Sequence, residues 1–455
     1  MADSNFISGQ SYEPLRRLIS DTRLQEILGQ IRIRSTGETV DWSEQTLSPT
    51  DLESSTWQPK LLIAIDGDYS KSIVENGYPG AEIGYVTVST VVILLDKVRE
   101  LEKSAFIDPK KFRETERPTS VDSIFVGCNV VLDGEDSVKS SMRKMLYQVL
   151  GKFRIFDNTE TLLETFEALL KEKPGGRAGK CPHDNCEADY EFSIGEYQCK
   201  GCGGKLYSTD SLRLHELQNP SGTNGEMYGQ IMETLKKLQL IHLLRSFEQE
   251  PKYFSFFRDM AFFIEGTLAV FSTASWLAKP IRTELERLNQ KIKDELNSEL
   301  IILGIERTGN FVKHFSDIDT KKTGEDDNFP AQSIFLLNND YIKNNIVFND
   351  NPNFVYLEDT AFGRKFFYKT KAGYRVVASL ATYNNYQSNT QTSFPAQFPR
   401  LADVVGLLDK LVSSRYENSV TPLAAAHAEA AIPLNLGKSI FEDIARQINT
   451  QSTPS

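Results

Sequence analysis

The chain has 455 residues, of which 40% are hydrophobic and 25% are charged; these proportions exclude a largely disordered or collagen-like protein. Its net charge of −11 argues against a protein that coats nucleic acid through bulk positive charge, but it is compatible with an enzyme that has a local basic channel. No stretch approaches about 18 consecutive apolar residues, and the first residues lack the pattern of a signal peptide. We therefore expect a cytoplasmic protein with no membrane contact.

Residues 1–59 are predicted to form an N-terminal helical arm that ends in a polar loop. Residues 15–31 have the apolar spacing of a helix, and residues 35–55 are rich in turn-forming side chains. This segment precedes the first strongly apolar run of the chain.

Residues 60–173 are predicted to form the first part of a mixed α/β core. The run KLLIAIDGDYS predicts a strand that is buried on both faces and ends at Asp66 and Gly67. Residues 82–95 and 123–132 predict two further strands. Helical patterns follow at 136–150 and 158–172.

Four of the five cysteines form a pattern typical of a zinc ribbon within residues 174–210. A Gly-rich linker leads into Cys181, Cys186, Cys199 and Cys202, spaced C-x4-C-x12-C-x2-C. Two closely spaced pairs offer four thiolates to one tetrahedral Zn²⁺, which we expect to be structural because no coordination position stays open. His183 is an alternative ligand, and Cys128 lies in an apolar run that predicts a buried thiol.

Residues 211–455 are predicted to form the second part of the core. Helices are expected at 225–248 and 280–296, and strands at 260–271 and 299–309. Residues 364–383 predict a hairpin that turns at 371–373. Segments 317–332 and 384–399 are predicted loops, and helices are expected from LADVVGLLDKLV to IFEDIARQI. Alternating strands and helices favour an α/β fold with a zinc module inserted.

Two acid-glycine pairs follow apolar runs, Asp66-Gly67 and Glu265-Gly266. One such pair alone is more often a turn. Two pairs on two buried strands make a shared Mg²⁺ or Mn²⁺ site more plausible, because these ions prefer oxygen ligands and phosphodiester hydrolysis by two metals needs converging carboxylates.

Five ordered segments carry a resemblance to a known family: IDGDYS, FFIEGTLAV, LGIERTG, FGRKFFYKTKAG and PLAAAHAEAAIP. In this order they resemble the NurA nucleases, which process 5′ ends as partners of the HerA hexameric ATPase. The resemblance covers about residues 60–130 and 225–450. It implies an RNase H-like mixed-sheet core with flanking helices, a homodimer, and DNA cleavage that depends on Mn²⁺ or Mg²⁺.

The chain departs from the family pattern at three places. The second motif usually reads Asp-Gly, whereas this chain has Glu265, whose carboxylate reaches one methylene further. Glu306 stands where the family often has a lysine. The cysteine cluster is an insertion that the minimal family fold does not need.

The resemblance implies a set of catalytic residues. Asp66, Glu233 and Glu265 would hold two metal ions, and Asp68 is a possible further ligand, with a turn cap as the alternative. Glu248 and Glu250 are alternatives to Glu233, and a solvated helix face is the other interpretation of Glu233. His427 would orient the scissile phosphate or stabilise developing charge, with metal ligation as a further possible role, although a lone histidine among alanines is often a core group.

Basic and aromatic residues alternate in the predicted hairpin and suit a path for single-stranded DNA. The residues are Arg364, Lys365, Tyr368 and Lys369, with Phe366 and Phe367 between them. The alternative is an ordinary hairpin with aromatic side chains inward and basic side chains outward.

Other chemistries lack their motifs. No G-x-x-x-x-G-K-[ST], G-x-S-x-G or H-E-x-x-H is present, so a separate motor would have to move the DNA. Two hypotheses remain. One is a metal-dependent DNA nuclease that acts with a HerA-like hexameric ATPase in DNA end processing or antiviral defence. The other is an inactive zinc-ribbon adaptor that binds DNA or the ATPase.

Overall fold

A computed structural model describes residues 21–31, 46–52, 55–75, 80–95, 116–174, 178–320, 329–347, 349, 351, 355–383, 390–412 and 419–431. The chain divides into two compact units, Met1–Val40 and Asp41–Ser455. In the first unit, helix α1 spans Thr22–Gln30 and begins at Asp21, whose side chain accepts a hydrogen bond from the Arg23 amide. The rest of the predicted arm helix, at 15–20, lies outside the described residues.

The second unit is built on a nine-stranded mixed sheet with two small hairpins beside it. Its strands, in chain order, are β1 (Thr46–Leu47), β2 (Leu61–Glu75), β3 (Ala81–Leu94), β4 (Glu116–Val126), β5 (Ala178–Lys180), β6 (Asp189–Glu191), β7 (Glu196–Gln198), β8 (Lys205–Tyr207), β9 (Met260–Glu265), β10 (Ile302–Glu306), β11 (Ser333–Leu336), β12 (Gly363–Lys369) and β13 (Arg375–Ala381). The large sheet has the order β1-β11-β12-β13-β10-β9-β2-β3-β4. Strand β9 is parallel to both β2 and β10, and the other pairs are antiparallel.

Helices cover both faces of this sheet. They are α2 (Val138–Lys152), α3 (Leu162–Lys171), α4 (Gly225–Gln249), α5 (Pro251–Phe254), α6 (Ala278–Leu296), α7 (Asn310–Asp319), α8 (Asn339–Asn345), α9 (Leu401–Leu411) and α10 (Thr421–Ala430). Ile63 and Ile65 of β2 pack in one core with α4, whereas Leu62 and Ala64 pack in a second core with α9 and α10. Because side chains alternate along a strand, β2 needs apolar residues at consecutive positions.

Most predicted elements are confirmed, with shifted ends. Strands β2, β3, β9 and β10, helices α2, α3, α4 and α6, and the β12–β13 hairpin lie where the sequence indicates. The third strand lies earlier than expected, at Glu116–Val126. Of the helical C-terminal part, α9 and α10 are confirmed, and IFEDIARQI lies outside the described residues. None of the described helices combines the length and the apolar character needed to span a bilayer.

Two strand ends differ from the prediction and both affect the acidic pairs. Strand β2 does not end at Asp66; it continues to Glu75 because β3 pairs with it along this whole length. Met232 of α4 lies against Gly67. A Cβ atom at this position would approach Met232 Cγ to 2.8 Å, so the close packing favours glycine here. Strand β9, by contrast, ends at Glu265, and Gly266 turns the chain with a φ of +90° that favours glycine.

The cysteine segment is a module of two hairpins, β5–β6 and β7–β8, that is held against α2 and α3. Arg143 of α2 donates two hydrogen bonds to Asp210, at 2.7 and 2.6 Å, and both side chains are almost fully buried. Glu167 of α3 accepts hydrogen bonds from the Gly195 amide and the Ser208 hydroxyl. The insertion is therefore docked on the core through buried polar contacts.

Replacing Asp210 by Asn should destabilise the protein by about 3 kcal/mol, because Arg143 would keep a buried charge without its carboxylate. Asp189→Asn is the matched control: the Asp189 carboxylate pairs with Lys180 at 2.9 Å, but both side chains are exposed. Chemical denaturation of both variants measures the difference. An equal change in the two unfolding midpoints would contradict the role given to the buried pair.

Acidification should destabilise the fold through two buried histidines, since burial lowers the pKa of His215 and of His242 to about 4. The unfolded chain takes up these protons near pH 6.5, whereas the folded chain excludes them until about pH 4. This contribution to stability is therefore lost as the pH falls from about 6.5 to 4.

The variant His242→Gln isolates one of these groups and keeps a hydrogen-bonding group for the Thr165 hydroxyl, which lies 2.7 Å from His242 Nδ1. Between pH 7 and pH 5 the variant should lose about 2 kcal/mol less unfolding free energy than the wild type. Urea titrations at the two pH values measure this difference. Equal losses in both proteins would mean that His242 is not a buried neutral group.

Candidate active site

The ends of β9 and β10 meet the middle of β2 at one place in the sheet. The parallel register pairs Ile65 with Ile264 and Ile305 with Glu265. Asp66 follows immediately on β2, so its side chain emerges beside Glu265, where β9 turns away at Gly266. The parallel pairing thus brings the two acid-glycine motifs together although they lie about 200 residues apart in the chain.

Asp66 is the most enclosed of the acidic side chains here, with 1% of its side chain exposed. Its Oδ1 accepts a hydrogen bond from the Gly67 amide at 2.7 Å. Its Oδ2 lies 3.0 Å from Nδ1 of His427, on helix α10. The hydrogen bond that His427 donates to Asp66 raises the pKa of His427 above its ordinary value, against the opposing effect of burial.

A lysine joins the other two predicted ligands. The Lys236 ammonium on α4 lies 2.6 Å from Glu233 Oε1 and 2.6 Å from Glu265 Oε2, and its side chain has no exposed surface. Lys237 adds a longer contact to Glu233, at 3.4 Å. Burial favours protonation of Glu233, but Lys237 and Lys236 outweigh it and lower the pKa of that carboxyl.

Arg307 follows Glu306, the last residue of β10, and connects the groups on both sides of the sheet. Its guanidinium lies 3.4 Å from Asp66 Oδ2, 3.5 Å from His427 Nδ1 and 3.8 Å from Glu265 Oε1. The structure therefore gathers Asp66, Glu233, Glu265 and His427 into one polar network. Helix α4 supplies Glu233 from one face of the sheet, and α10 supplies His427 from the other.

Sequence reasoning missed Lys236 and Arg307. Lys236 lies three residues after Glu233, a spacing that places an acid and a base on one helix face. Arg307 lies inside the motif LGIERTG. A search for basic side chains around each candidate acid would have selected both. Glu248, one of the two alternatives to Glu233, instead pairs with Arg287 and Lys291 of α6.

Asp68 and Glu306 lie beside this network. Asp68 lies two residues after Asp66 in β2. Its Oδ1 accepts a hydrogen bond from the Tyr69 amide at 2.8 Å. Glu306 forms a short ion pair with Lys365, whose ammonium also lies 2.8 Å from the Thr267 hydroxyl. Burial, together with the charge of Lys237, lowers the pKa of Lys365 to about 7.

The four residues predicted to bind DNA are buried in the fold. Strand β12 is an interior strand between β11 and β13, with α7 over one face and α9 over the other. Each of the four side chains has a partner within the fold. Arg364 and Tyr368 donate hydrogen bonds to the Thr392 carbonyl and to Asp409, and Lys365 and Lys369 form ion pairs with Glu306 and Asp319. Neither basic nor aromatic side chains point outward here, so a role of this hairpin in DNA binding remains a prediction.

The donor set suits Mg²⁺ or Mn²⁺, since three carboxylates and an imidazole are hard or borderline ligands. In this arrangement, however, Lys236 and Arg307 lie between the carboxylates. Among the described residues, only the four cysteines bring three or more possible ligand atoms within 4.8 Å of one another. A divalent ion could bind the acidic residues only if they closed around it in place of Lys236 or Arg307.

The cysteine cluster has the dimensions of a tetrahedral metal site. Cys181 Sγ lies 3.8 Å from Cys202 Sγ, and Cys186 Sγ lies 3.8 Å from Cys199 Sγ. Zinc–sulfur bonds of about 2.3 Å at tetrahedral angles place two sulfurs about 3.8 Å apart. The backbone amides of Cys202 and Gly201 lower the pKa of the Cys199 thiol to about 6, which favours the thiolate form that metals bind.

His183 touches this cluster but has a second contact. Its Nδ1 lies 3.2 Å from Cys181 Sγ and 3.7 Å from Cys202 Sγ. Its Nε2 lies 3.4 Å from Arg143, the residue that holds Asp210. Four sulfurs suffice for the tetrahedron, and His183 links the cluster to α2.

Comparison with known proteins identifies the family. A family model for the NurA domain matches residues 60–432, which is most of the chain. The NurA nuclease from Sulfolobus solfataricus is 9% identical, with a TM-score of 0.34 over 98% of this chain and 100% of that one. A second NurA structure is 10% identical, with a TM-score of 0.26, and a NurA structure with manganese is 10% identical, with a TM-score of 0.25. Each match covers 98% of this chain and 99% of the other chain.

No curated protein matches the chain. At TM-scores below 0.5 the structural likeness carries no weight, so the assignment depends on the match to the family model. That match and the ordered motifs agree on the same residues, since residues 60–432 include both acid-glycine pairs and the histidine of α10. The chain belongs to the NurA family.

Proposed function

We propose that the protein is a nuclease that cleaves DNA with two Mn²⁺ or Mg²⁺ ions. The observation that carries the proposal is the convergence of Asp66, Glu233, Glu265 and His427 at one point of the sheet in a chain of the NurA family. Asp68, two residues after Asp66 on β2, is an additional candidate ligand.

The arrangement of five neighbouring strands supports an RNase H-like core. Strands β4, β3 and β2 form an antiparallel meander, and β9 and β10 continue from β2 in parallel. The acidic residues lie on β2 and at the end of β9, the positions at which such a sheet presents a metal site.

The chemistry divides between the ions and the side chains. Divalent ions bound by the carboxylates would activate water and stabilise the leaving oxygen. Arg307 offers a guanidinium that can attract and orient a phosphodiester. His427, held by Asp66, carries a raised pKa and presents a polar group from the opposite face, where it can position the scissile phosphate.

We propose a structural Zn²⁺ for the four cysteines, because four thiolates close the coordination shell.

We also propose that a HerA-like hexameric ATPase moves the DNA and that the nuclease is a homodimer, in DNA end processing or antiviral defence. Family membership supports these proposals, and the absence of a P-loop from the sequence is consistent with a separate motor.

One observation favours the inactive adaptor as a second candidate. Glu265 replaces the usual aspartate, and its carboxylate is engaged by Lys236. If this contact were permanent, the site would stay closed to metal, and the chain would serve as a DNA- or ATPase-binding adaptor.

Replacing Asp66 by Asn should lower cleavage of linear DNA in Mn²⁺ by at least about a hundredfold, because even outer-shell partners of a metal site contribute up to that factor. The assay includes the HerA-like ATPase and ATP. Asp294→Asn, on the exposed side of α6, is the control and should cleave like the wild type. Absence of cleavage by the wild type in both Mn²⁺ and Mg²⁺ would favour the adaptor.

Purified protein should contain one zinc ion per chain, and Cys199→Ser should lose it and melt at a lower temperature. Cys128→Ser is the control, since Cys128 is a free, buried thiol outside the cluster. Elemental mass spectrometry and thermal melting measure the two effects. Equal zinc content in both variants, or none in the wild type, would rule out the proposed zinc site.

A further inference from the structure

Lys236 occupies the space between two of the proposed metal ligands. Besides its 2.6 Å contacts to Glu233 and Glu265, its ammonium lies 3.1 Å from the backbone carbonyl oxygen of Glu265. The three donor positions of an ammonium are thus matched by three oxygens. The side chain is fully buried, so these contacts replace its hydration.

Lys236 remains charged in this position. The carboxylates of Glu233 and Glu265 both lie 2.6 Å from its nitrogen and balance the charge of the ammonium. A buried ammonium with these partners is stable only while the carboxylates face it. The carboxylates in turn depend on the ammonium, because it neutralises two acidic groups that would otherwise repel each other.

A divalent ion and this ammonium cannot share the same two carboxylates. Metal–oxygen bonds of about 2.0–2.2 Å would place the ion almost where the ammonium nitrogen lies. The positive charges would then repel strongly in a site with little exposure. Metal binding therefore requires Lys236 to move away from Glu233 and Glu265.

We infer that Lys236 is a resident counter-ion of the metal site: it holds Glu233 and Glu265 in position without a metal and is displaced when a divalent ion binds. The inference builds on the proposed function, since it takes these two carboxylates as metal ligands. Its consequence is regulatory, because the energy needed to displace Lys236 sets the concentration of divalent ion at which the site fills.

Lys237 provides a matched control on the same helix. Its side chain is also buried, with 2% exposed, and its one ion pair within the described residues is with Glu233, at 3.4 Å. It is the same type of side chain as Lys236, but it does not bridge the two carboxylates. A general effect of removing positive charge would therefore be similar for both lysines, whereas competition for the metal position is specific to Lys236.

The test measures Mn²⁺ binding without DNA, from the electron paramagnetic resonance signal of free Mn²⁺. Lys236→Met should bind Mn²⁺ at least about tenfold more tightly than the wild type, because the competing charge is removed. Lys237→Met should change the affinity less than about threefold. Lys236→Arg, which keeps the charge, should retain an affinity near that of the wild type.

Equal or weaker binding by Lys236→Met would overturn the inference, and so would equal gains in the two methionine variants. If the wild type binds Mn²⁺ and Lys236→Met binds it no better, the inference fails while the nuclease proposal stands. If no protein binds Mn²⁺, both fail. Circular dichroism checks folding, and Lys236→Gln replaces Lys236→Met under the same criteria if the latter does not fold.

Discussion

The parallel pairing of β2 with β9 is the constraint on which the proposed site depends. It places Asp66 one residue beyond the last paired position and beside Glu265. Both strands are apolar on both faces, so their register is set by two separate cores. A slip of one residue would send Asp66 to the opposite face, where Gly67 now lies against α4. The site geometry is therefore a consequence of apolar packing.

Charge balance is the second requirement of this site. The acidic side chains of Asp66, Glu233 and Glu265 are paired with Lys236, with Arg307 and with a histidine that has a raised pKa. Paired charges are tolerated in a partly buried site, whereas unpaired ones are costly. The cations of the chain therefore occupy the space between carboxylates that would otherwise repel one another.

The cysteine module is joined to this framework through its own buried ion pair. Arg143 binds Asp210 and also approaches His183 beside the cysteine cluster. The module therefore has two sources of order: the four sulfurs within it and the polar contacts with α2 and α3. This arrangement suits an insertion that is fixed on the core.

The sequence by itself determined what depends on local pattern: the apolar run of β2, the cysteine spacing and the β12–β13 hairpin. It also supplied the family. Only the tertiary structure decided that Asp66 lies within a long strand, that Lys236 and Arg307 connect the acids, and that the basic side chains of β12 are buried. The physical reason is that strand pairing and helix packing join residues distant in the chain, so burial and ion pairing depend on neighbours that no local pattern contains.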